Sequence, residues 1–233
     1  MLLVTTIVLA TNNAHKVAEI RAILGEQFQF RSLVDFPGAP KTLEDAPTFA
    51  GNATKKAVEL SKFLSPGAFE HSTYVLADDS GLEVDALKGA PGVHSARFAA
   101  IDRAEDFNSS DAENRAKLLR LLKDVPAEKR TARFRCVLAL TPLGGLAKPG
   151  ASPVCYADEL EMQTELFEGV CEGRIEFSEK GQGGFGYDSL FTPNGFLQTF
   201  GELPEEVKNQ LSHRAKALEK LQGRLRQDAS RSH

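Results

Sequence analysis

The chain has 233 residues, 42% hydrophobic and 26% charged, with a net charge of -4 at neutral pH. That is enough apolar material for a substantial core, and it argues against a disordered or collagen-like chain. The acidic balance argues against a protein held to nucleic acid by a general basic field, but not against one that takes a small phosphorylated ligand with a few local cations.

The cysteines Cys136, Cys155 and Cys171 contain no C-x-x-C pair and form no disulfide framework, which suits a reducing cytoplasm. No apolar run approaches the length of a membrane span, and Met1 to Val4 leads into Thr5-Thr6 without a basic leader or cleavage site, so the start reads as a strand rather than a signal peptide. There is no internal repeat and no low-complexity tract.

In chain order, Thr5 to Ala10 reads as a short strand. Val17 to Leu24 follows as a helix with Val17, Ile20 and Leu24 on one face, and Gln29 to Leu33 as a second strand. Thr48 to Leu64 places Phe49, Ala53, Ala57 and Leu60 on one helical face. Tyr74 to Ala77 predicts a buried strand that stops at Asp78-Asp79-Ser80-Gly81, with Leu82 to Leu87 returning as a hairpin. Ser110-x-x-Glu113 is a capping box opening a helix through Leu122. Thr131 to Leu140 reads as a central strand, and Thr141 to Pro153 as a loop rich in Gly and Pro. Strands resume at Val154 to Ala157 and Gln163 to Cys171. Ser212 caps a last helix with Ala215, Leu218, Leu221 and Leu225 inward, and the tail after Gln227 reads as frayed. The order predicts an α/β protein with a long mixed sheet, flanking helices and a central cleft between two lobes.

Four stretches carry chemistry. Thr11-Asn12-Asn13-Ala14-His15-Lys16 joins a strand to a helix N-terminus, where unpaired N–H groups suit phosphate and Lys16 adds a point charge; the same residues also read as an ordinary Asn cap with a solvated lysine. Asp78-Asp79 at a strand end is a candidate site for a hard cation or an Asp-initiated turn, and Glu44-Asp45 is a further source of a ligand. Gly181-Gln182-Gly183-Gly184-Phe185-Gly186-Tyr187-Asp188 contains a formal G-x-G-x-x-G. Ser189-Leu190-Phe191-Thr192-Pro193 follows it and is strand-like, so the dinucleotide fingerprint, which requires a helix there, fails. The loop reads instead as one that approaches a ligand closely, with Phe185 or Tyr187 as a stacking platform, or as a hairpin whose aromatics belong to the core. Lys208, Ser212, His213 and Arg214 place cations near a helix start, where the dipole disfavours them, which points to an anionic or carbonyl-bearing ligand or to a solvated terminus. A P-loop, zinc spacing among the five histidines and a G-x-S-x-G elbow are all absent from the sequence.

Six stretches in one order resemble the house-cleaning inosine/xanthosine triphosphatases, the Ham1-like family. They are Thr11-x-Asn13-x-x-Lys16, Thr48-Phe49-x-x-Asn52-Ala53, Ala77-Asp78-Asp79-Ser80-Gly81-Leu82, Pro91 to Phe98, Gly184-Phe185-Gly186-Tyr187-Asp188, and Lys208 with Ser212-His213-Arg214. The resemblance implies one domain over residues 1–233, elongated around a cleft, a cytoplasmic homodimer, and Mg²⁺-dependent hydrolysis of ITP, dITP and XTP to the monophosphate and pyrophosphate. It implies that Thr11, Asn12, Asn13, Ala14, His15 and Lys16 hold the triphosphate. Asp79 would accept the proton and bind metal with Glu44, and Ser80 would touch substrate. Phe185, Gly186, Tyr187, Asp188, Lys208, His213 and Arg214 would hold the nucleoside. No nucleic acid or membrane partner is expected. Gly51 departs from the family pattern, which has Glu there, and residues 100–110 and 142–162 look like insertions. A Maf-like pyrophosphatase of other base preference, a non-catalytic nucleotide sensor and an RNA-interaction module are the competing readings.

Overall fold

The strand β1 (Thr6–Leu9) is buried at all four positions, as expected of a short apolar strand covered on both faces. A computed structural model describes residues 5–64, 69, 73–103, 108–143 and 159–231. β1 pairs in parallel with β2 (Gln29–Ser32) on one side and with β3 (Thr73–Val84) on the other, Thr6 lying opposite both Gln29 and Thr73. One sheet runs in the order β2-β1-β3-β4-β5-β6, with β4 (Thr131–Pro142), β5 (Glu165–Ile175) and β6 (Phe191–Pro193). The β5–β6 pair is antiparallel, so the sheet is mixed, as predicted.

By its contacts the chain divides into two compact units. The first comprises Met1–Asp79, Val137–Phe167 and Arg224–His233; the second comprises Ser80–Cys136 and Glu168–Gly223.

In the first unit, α1 (Ala14–Leu24) starts behind Asn13 and ends at Gly25, whose φ of 78° and N–H to the Arg21 carbonyl close the last turn. α2 (Phe49–Phe63) is capped by Thr48, which accepts from Gly51 N at 3.1 Å, and it buries Phe49, Ala53, Ala57 and Leu60 as the periodicity predicts. A short helix, α4 (Glu159–Gln163), precedes β5, so that strand begins at Glu165 rather than at Gln163. The strand expected at Val154 to Ala157, most of the loop after Pro142 and part of the 100–110 stretch lie outside the described residues.

β3 corrects the sequence reading. It runs unbroken for 12 residues through Asp78-Asp79-Ser80-Gly81, with no hairpin at that point. Turn propensity loses here because each polar side chain in the run meets a partner supplied by tertiary structure.

In the second unit, α3 (Asp111–Leu121) carries the predicted capping box at Ser110 and Glu113. Its Leu118 packs into a core with Leu82, Phe98, Phe134, Tyr187 and Phe191. Phe134 is the hub of the aromatic part, with ring centroids 4.7 Å from Phe191 and 4.8 Å from His213. Sequence reading missed α5 (Glu205–Leu211), which follows Pro204 and opens on two acids. The last helix, α6 (His213–Arg231), which passes from the second unit into the first at Arg224, is capped by Ser212 Oγ, which accepts from Ala215 N at 3.1 Å. It continues past Gln227, where fraying was expected. Ala215, Leu218, Leu221 and Leu225 are buried, as predicted. No helix among the described residues is long and apolar enough to cross a membrane.

The start of α6 is set by a close approach to β5. A Cβ at Gly169 would lie 2.0 Å from the His213 carbonyl oxygen and 2.6 Å from Ala217 N, both backbone atoms. Gly169→Ala is therefore expected to lower stability by about 2–3 kcal/mol, the upper range for overpacking, and the melting temperature by about 5–10 °C for a chain of this size. Scanning calorimetry that found an unchanged midpoint would mean that α6 can stand off the strand.

Candidate active site

In the first unit the chemistry centres on two carboxylates in the middle of β3. The Asp78 side chain is 1% exposed and receives Lys16 Nζ at 2.5 Å. Asp79 Oδ1 accepts from Lys56 Nζ at 2.9 Å, and its Oδ2 accepts from Asn52 Nδ2 at 3.2 Å. Lys56 also donates to the Asp78 carbonyl at 2.9 Å and lies 3.4 Å from Glu44 Oε1. Asp78 thus pairs directly with Lys16, while Asp79 and Glu44 both lie against Lys56. Asp45 turns away to Lys55, which holds its exposed carboxyl below the usual range.

Burial pushes the Asp79 carboxyl above its ordinary pKa, and the charges of Lys56 and Lys16 offset this only in part, while Glu44 adds to it. For Lys56, burial works toward deprotonation, but Asp79, Glu44 and Asp78 together outweigh it and hold the ammonium above its usual value. The result is a fixed positive charge beside a carboxyl with raised proton affinity, an arrangement suited to a general base.

The Thr11 to Lys16 loop is more occupied than its sequence suggests. Asn13 Oδ1 accepts from His15 N at 3.0 Å and Lys16 N at 3.2 Å, and Thr11 Oγ accepts from Asn13 N at 3.1 Å. The cap takes two of the amides expected to face phosphate, and Lys16 is not a solvated charge. Asn12, Asn13, Ala14 and His15 are exposed.

In the second unit, the Phe185 ring lies under two cations. Lys208 Nζ is 4.8 Å and the Arg214 guanidinium carbon 5.8 Å from its centroid. Lys208 donates to Asp188 Oδ2 at 2.8 Å, and the same oxygen accepts from Phe185 N at 2.8 Å. Arg214, 1% exposed, donates to Ser80 Oγ at 3.0 Å. His213 stacks on Phe134 with an interplanar angle of 13°. The loop also depends on its glycines: a Cβ at Gly184, whose φ is 73°, would sit 2.1 Å from Asp188 Oδ2.

Two expectations change. Tyr187 is 4% exposed and donates to the Ser95 carbonyl at 2.8 Å, so it belongs to the core and Phe185 is the aromatic beside the cations. Lys208 sits in the last turn of α5, where the helix dipole favours a cation, and only His213 and Arg214 stand at a helix start, that of α6.

Sequence reading missed Lys56 and the role of Asn52. Their spacing of four places both on one face of α2. Asn52 also ties down the Glu44 loop, its Oδ1 accepting from Ala46 N at 2.9 Å. Gly51 contributes to the same fit: a Cβ there would meet Ala46 Cβ at 2.8 Å. Nothing local marks the pair, because Lys55 and Glu59 stand beside it at helical spacing.

The fold defines a mixed α/β protein with a buried, cation-paired carboxylate in its central strand and, in the second unit, an aromatic ring beneath two buried cations. The chain belongs to the Ham1 family, whose model matches residues 7–224. It is 47% identical over 215 residues to the dITP/XTP pyrophosphatase of Desulforamulus reducens, covering 92% of each chain. It is 46% identical to that of Geobacillus kaustophilus, covering 92% of this chain and 91% of the relative. Among solved structures, the Ham1 proteins of Coxiella burnetii and Staphylococcus aureus superpose with TM-scores of 0.74 and 0.73 at 34% and 32% identity. Each alignment covers 96% of this chain and 99% of the other.

Removing Lys56 leaves Asp79 without its ammonium. Lys56→Met should lower stability at neutral pH by about 3 kcal/mol or more, the usual consequence of breaking a buried pair. The raised Lys56 pKa stabilises the fold at every pH below its unfolded value, so wild type holds this contribution through the neutral range. In the variant the penalty is an uncompensated carboxylate. The deficit should therefore shrink as pH falls and Asp79, already raised, takes up its proton. Urea denaturation at neutral and mildly acid pH measures both; superposable curves for the two proteins would show that Lys56 is merely solvated.

Proposed function

We propose that this chain hydrolyses non-canonical purine nucleoside triphosphates, ITP, dITP and XTP, to the nucleoside monophosphate and pyrophosphate. The observation that carries this reading is Asp79, a buried carboxylate with raised proton affinity, held by Lys56 and Asn52 beside Glu44. Its relatives' names point the same way.

Asp79 accepts a proton from the water that attacks the α-phosphorus. The bond between that phosphorus and the bridging oxygen breaks, and the electron pair leaves with pyrophosphate. Lys16 and Lys56 stand ready to spread the charge on the phosphate chain. The donor set fits Mg²⁺: Asp79 and Glu44, brought together by the Lys56 ammonium they share, are two carboxylates, and such a site takes one or two when phosphate oxygens complete it. When bound there, Mg²⁺ would supply charge neutralisation to the phosphates.

Thr11 to Lys16 hold the phosphate chain. Phe185 stacks on the base, Arg214, Lys208 and His213 face it as donors, and Gly186, Tyr187 and Asp188 shape the loop. Ser80 orients Arg214 and contacts the nucleotide. Hypoxanthine and xanthine carry an acceptor oxygen at position 6, whereas adenine carries an amino donor. A set of donors pairs with the first and leaves polar groups unpaired with the second. The chain acts as one domain, as a homodimer, in the cytoplasm; the buried free thiols Cys136 and Cys171 suit a reducing compartment.

Pyrophosphate release from a panel of triphosphates is the test. ITP and XTP should exceed GTP and ATP in kcat/KM, and EDTA should abolish turnover. Asp79→Asn should lose at least about a hundredfold in turnover while remaining folded. Arg214→Ala should reduce ITP hydrolysis far more than ATP hydrolysis. A wild type that prefers ATP or works fully in EDTA contradicts the proposal. Nucleotide binding without turnover would make the chain a sensor.

A further inference from the structure

The loop that carries Phe185 has a shape it would not keep unaided. Gly181, Gly184 and Gly186 have φ of 76°, 73° and 62°. Glycine adopts such conformations readily, and for the same reason loses most entropy when fixed in them. Some restraint comes from nearby backbone: Gly183 N donates to the Gly201 carbonyl at 2.9 Å, and Gly201 N to the Asp188 carbonyl at 3.0 Å. The Asp188 carboxylate holds Phe185 N. These bonds leave the peptide groups of Gly186, next to Phe185, to be held by something else.

They are gripped from α3. Asp111 Oδ2 accepts from Gly186 N at 2.6 Å, and Arg115 Nη1 donates to the Gly186 carbonyl at 2.9 Å. Residues four apart stand one above the other on a helix face, so one face of α3 offers an acceptor and a donor to the N–H and C=O of a single residue. Arg115 is steadied by an ion pair with Glu179 at 2.9 Å. Asn114, between the two on the chain, anchors α3 by accepting from Ala99 N at 2.8 Å and donating to the Ala96 carbonyl at 3.2 Å.

The geometry points to Asp111 and Arg115 as positioning residues that hold Phe185, through the Gly186 backbone, in the attitude that receives the purine. This rests on the reading of the loop as the base-binding element. Both bonds involve a charged side chain and are correspondingly strong, while the chemistry lies on other residues. Loosening them should weaken and blur base recognition more than it slows turnover.

The test combines hydrogen–deuterium exchange of nucleotide-free protein with steady-state kinetics on ITP and GTP, for Asp111→Ala, Arg115→Ala and Asp111→Asn. Both alanine variants should exchange the Phe185 to Tyr187 amides faster than wild type. Their KM for ITP should rise about fivefold to thirtyfold, the factor that one or two kcal/mol represents, with kcat moving far less and the preference for ITP over GTP narrowing. Asp111→Asn keeps an acceptor oxygen without the charge and should fall between wild type and Asp111→Ala in both readouts. Unchanged exchange overturns the clamp. Faster exchange with unchanged KM and preference overturns its role in positioning, while wild-type hydrolysis of ITP leaves the proposed reaction standing. A wild type that releases no pyrophosphate from ITP refutes the reaction itself, and the role in base recognition with it, whatever the exchange shows.

Discussion

Two carboxylates buried side by side in a central strand are the constraint around which the first unit is arranged. Stripping a carboxylate of water costs several kcal/mol unless a counter-charge and hydrogen bonds replace the solvent. Lys16 supplies the counter-charge for Asp78, and Lys56 with Asn52 supplies it for Asp79. Both helices are thereby fixed in phase. The Asn13 cap sets where α1 begins and so where Lys16 falls one turn later. Asn52 and Lys56 fix the rotation of α2, and the bond from Ala46 N to Asn52 brings Glu44 alongside. On the proposed reading, groups placed for stability in this way also serve the chemistry, as a base and two ammoniums.

The second unit solves a similar problem with the signs reversed. Lys208 and Arg214 are 5% and 1% exposed, and cations so deep need anions, acceptors or ring faces. Asp188 answers for Lys208, Ser80 for Arg214, and the Phe185 ring lies near both. Asp188 has a second task, since the oxygen that receives the lysine also receives Phe185 N. One carboxylate therefore couples the position of the ring to the position of the charge above it. The close fit of Gly184 against that carboxylate leaves no space for any other residue there.

Features governed by local pattern were legible in the sequence. The inward faces of α2 and α6, the capping box of α3 and the all-buried β1 follow from periodicity and from cap chemistry a few residues wide. What the pattern could not show was compensation arriving from far along the chain. Asp78-Asp79-Ser80-Gly81 has the composition of a turn, yet it continues a strand because Lys16 lies 62 residues before its partner and Arg214 lies 134 residues after its own. Lys56 looked like one more surface lysine, since nothing local distinguishes it from Lys55, which does face outward to Asp45. Tyr187 and Phe185 are likewise two residues apart in one loop, and only packing against Ser95 separates the core ring from the one beside the cations. The α5 helix was missed because Val207 and Leu211 give a weak apolar period, although Pro204 followed by two acids is a helix start.

On the proposed reading, the charge balance of the first group gives a reason for a divalent ion to accompany the substrate. In these described ion pairs Lys16 and Lys56 stand against Asp78, Asp79 and Glu44, two positive charges against three negative ones when all are ionised. A triphosphate arriving alone would meet a net negative field in a partly desolvated setting, where repulsion is screened less than in water. An accompanying divalent cation reverses that sign. It also favours the ionised form of a carboxylate beside it, opposing the burial that raises Asp79. On the proposed reading the surplus carboxylate would make metal and nucleotide mutually dependent: without the cation the group would disfavour its ligand and leave the proposed base with excess affinity for a proton. Lys56, placed between Asp79 and Glu44, keeps this surplus tolerable in the protein by itself.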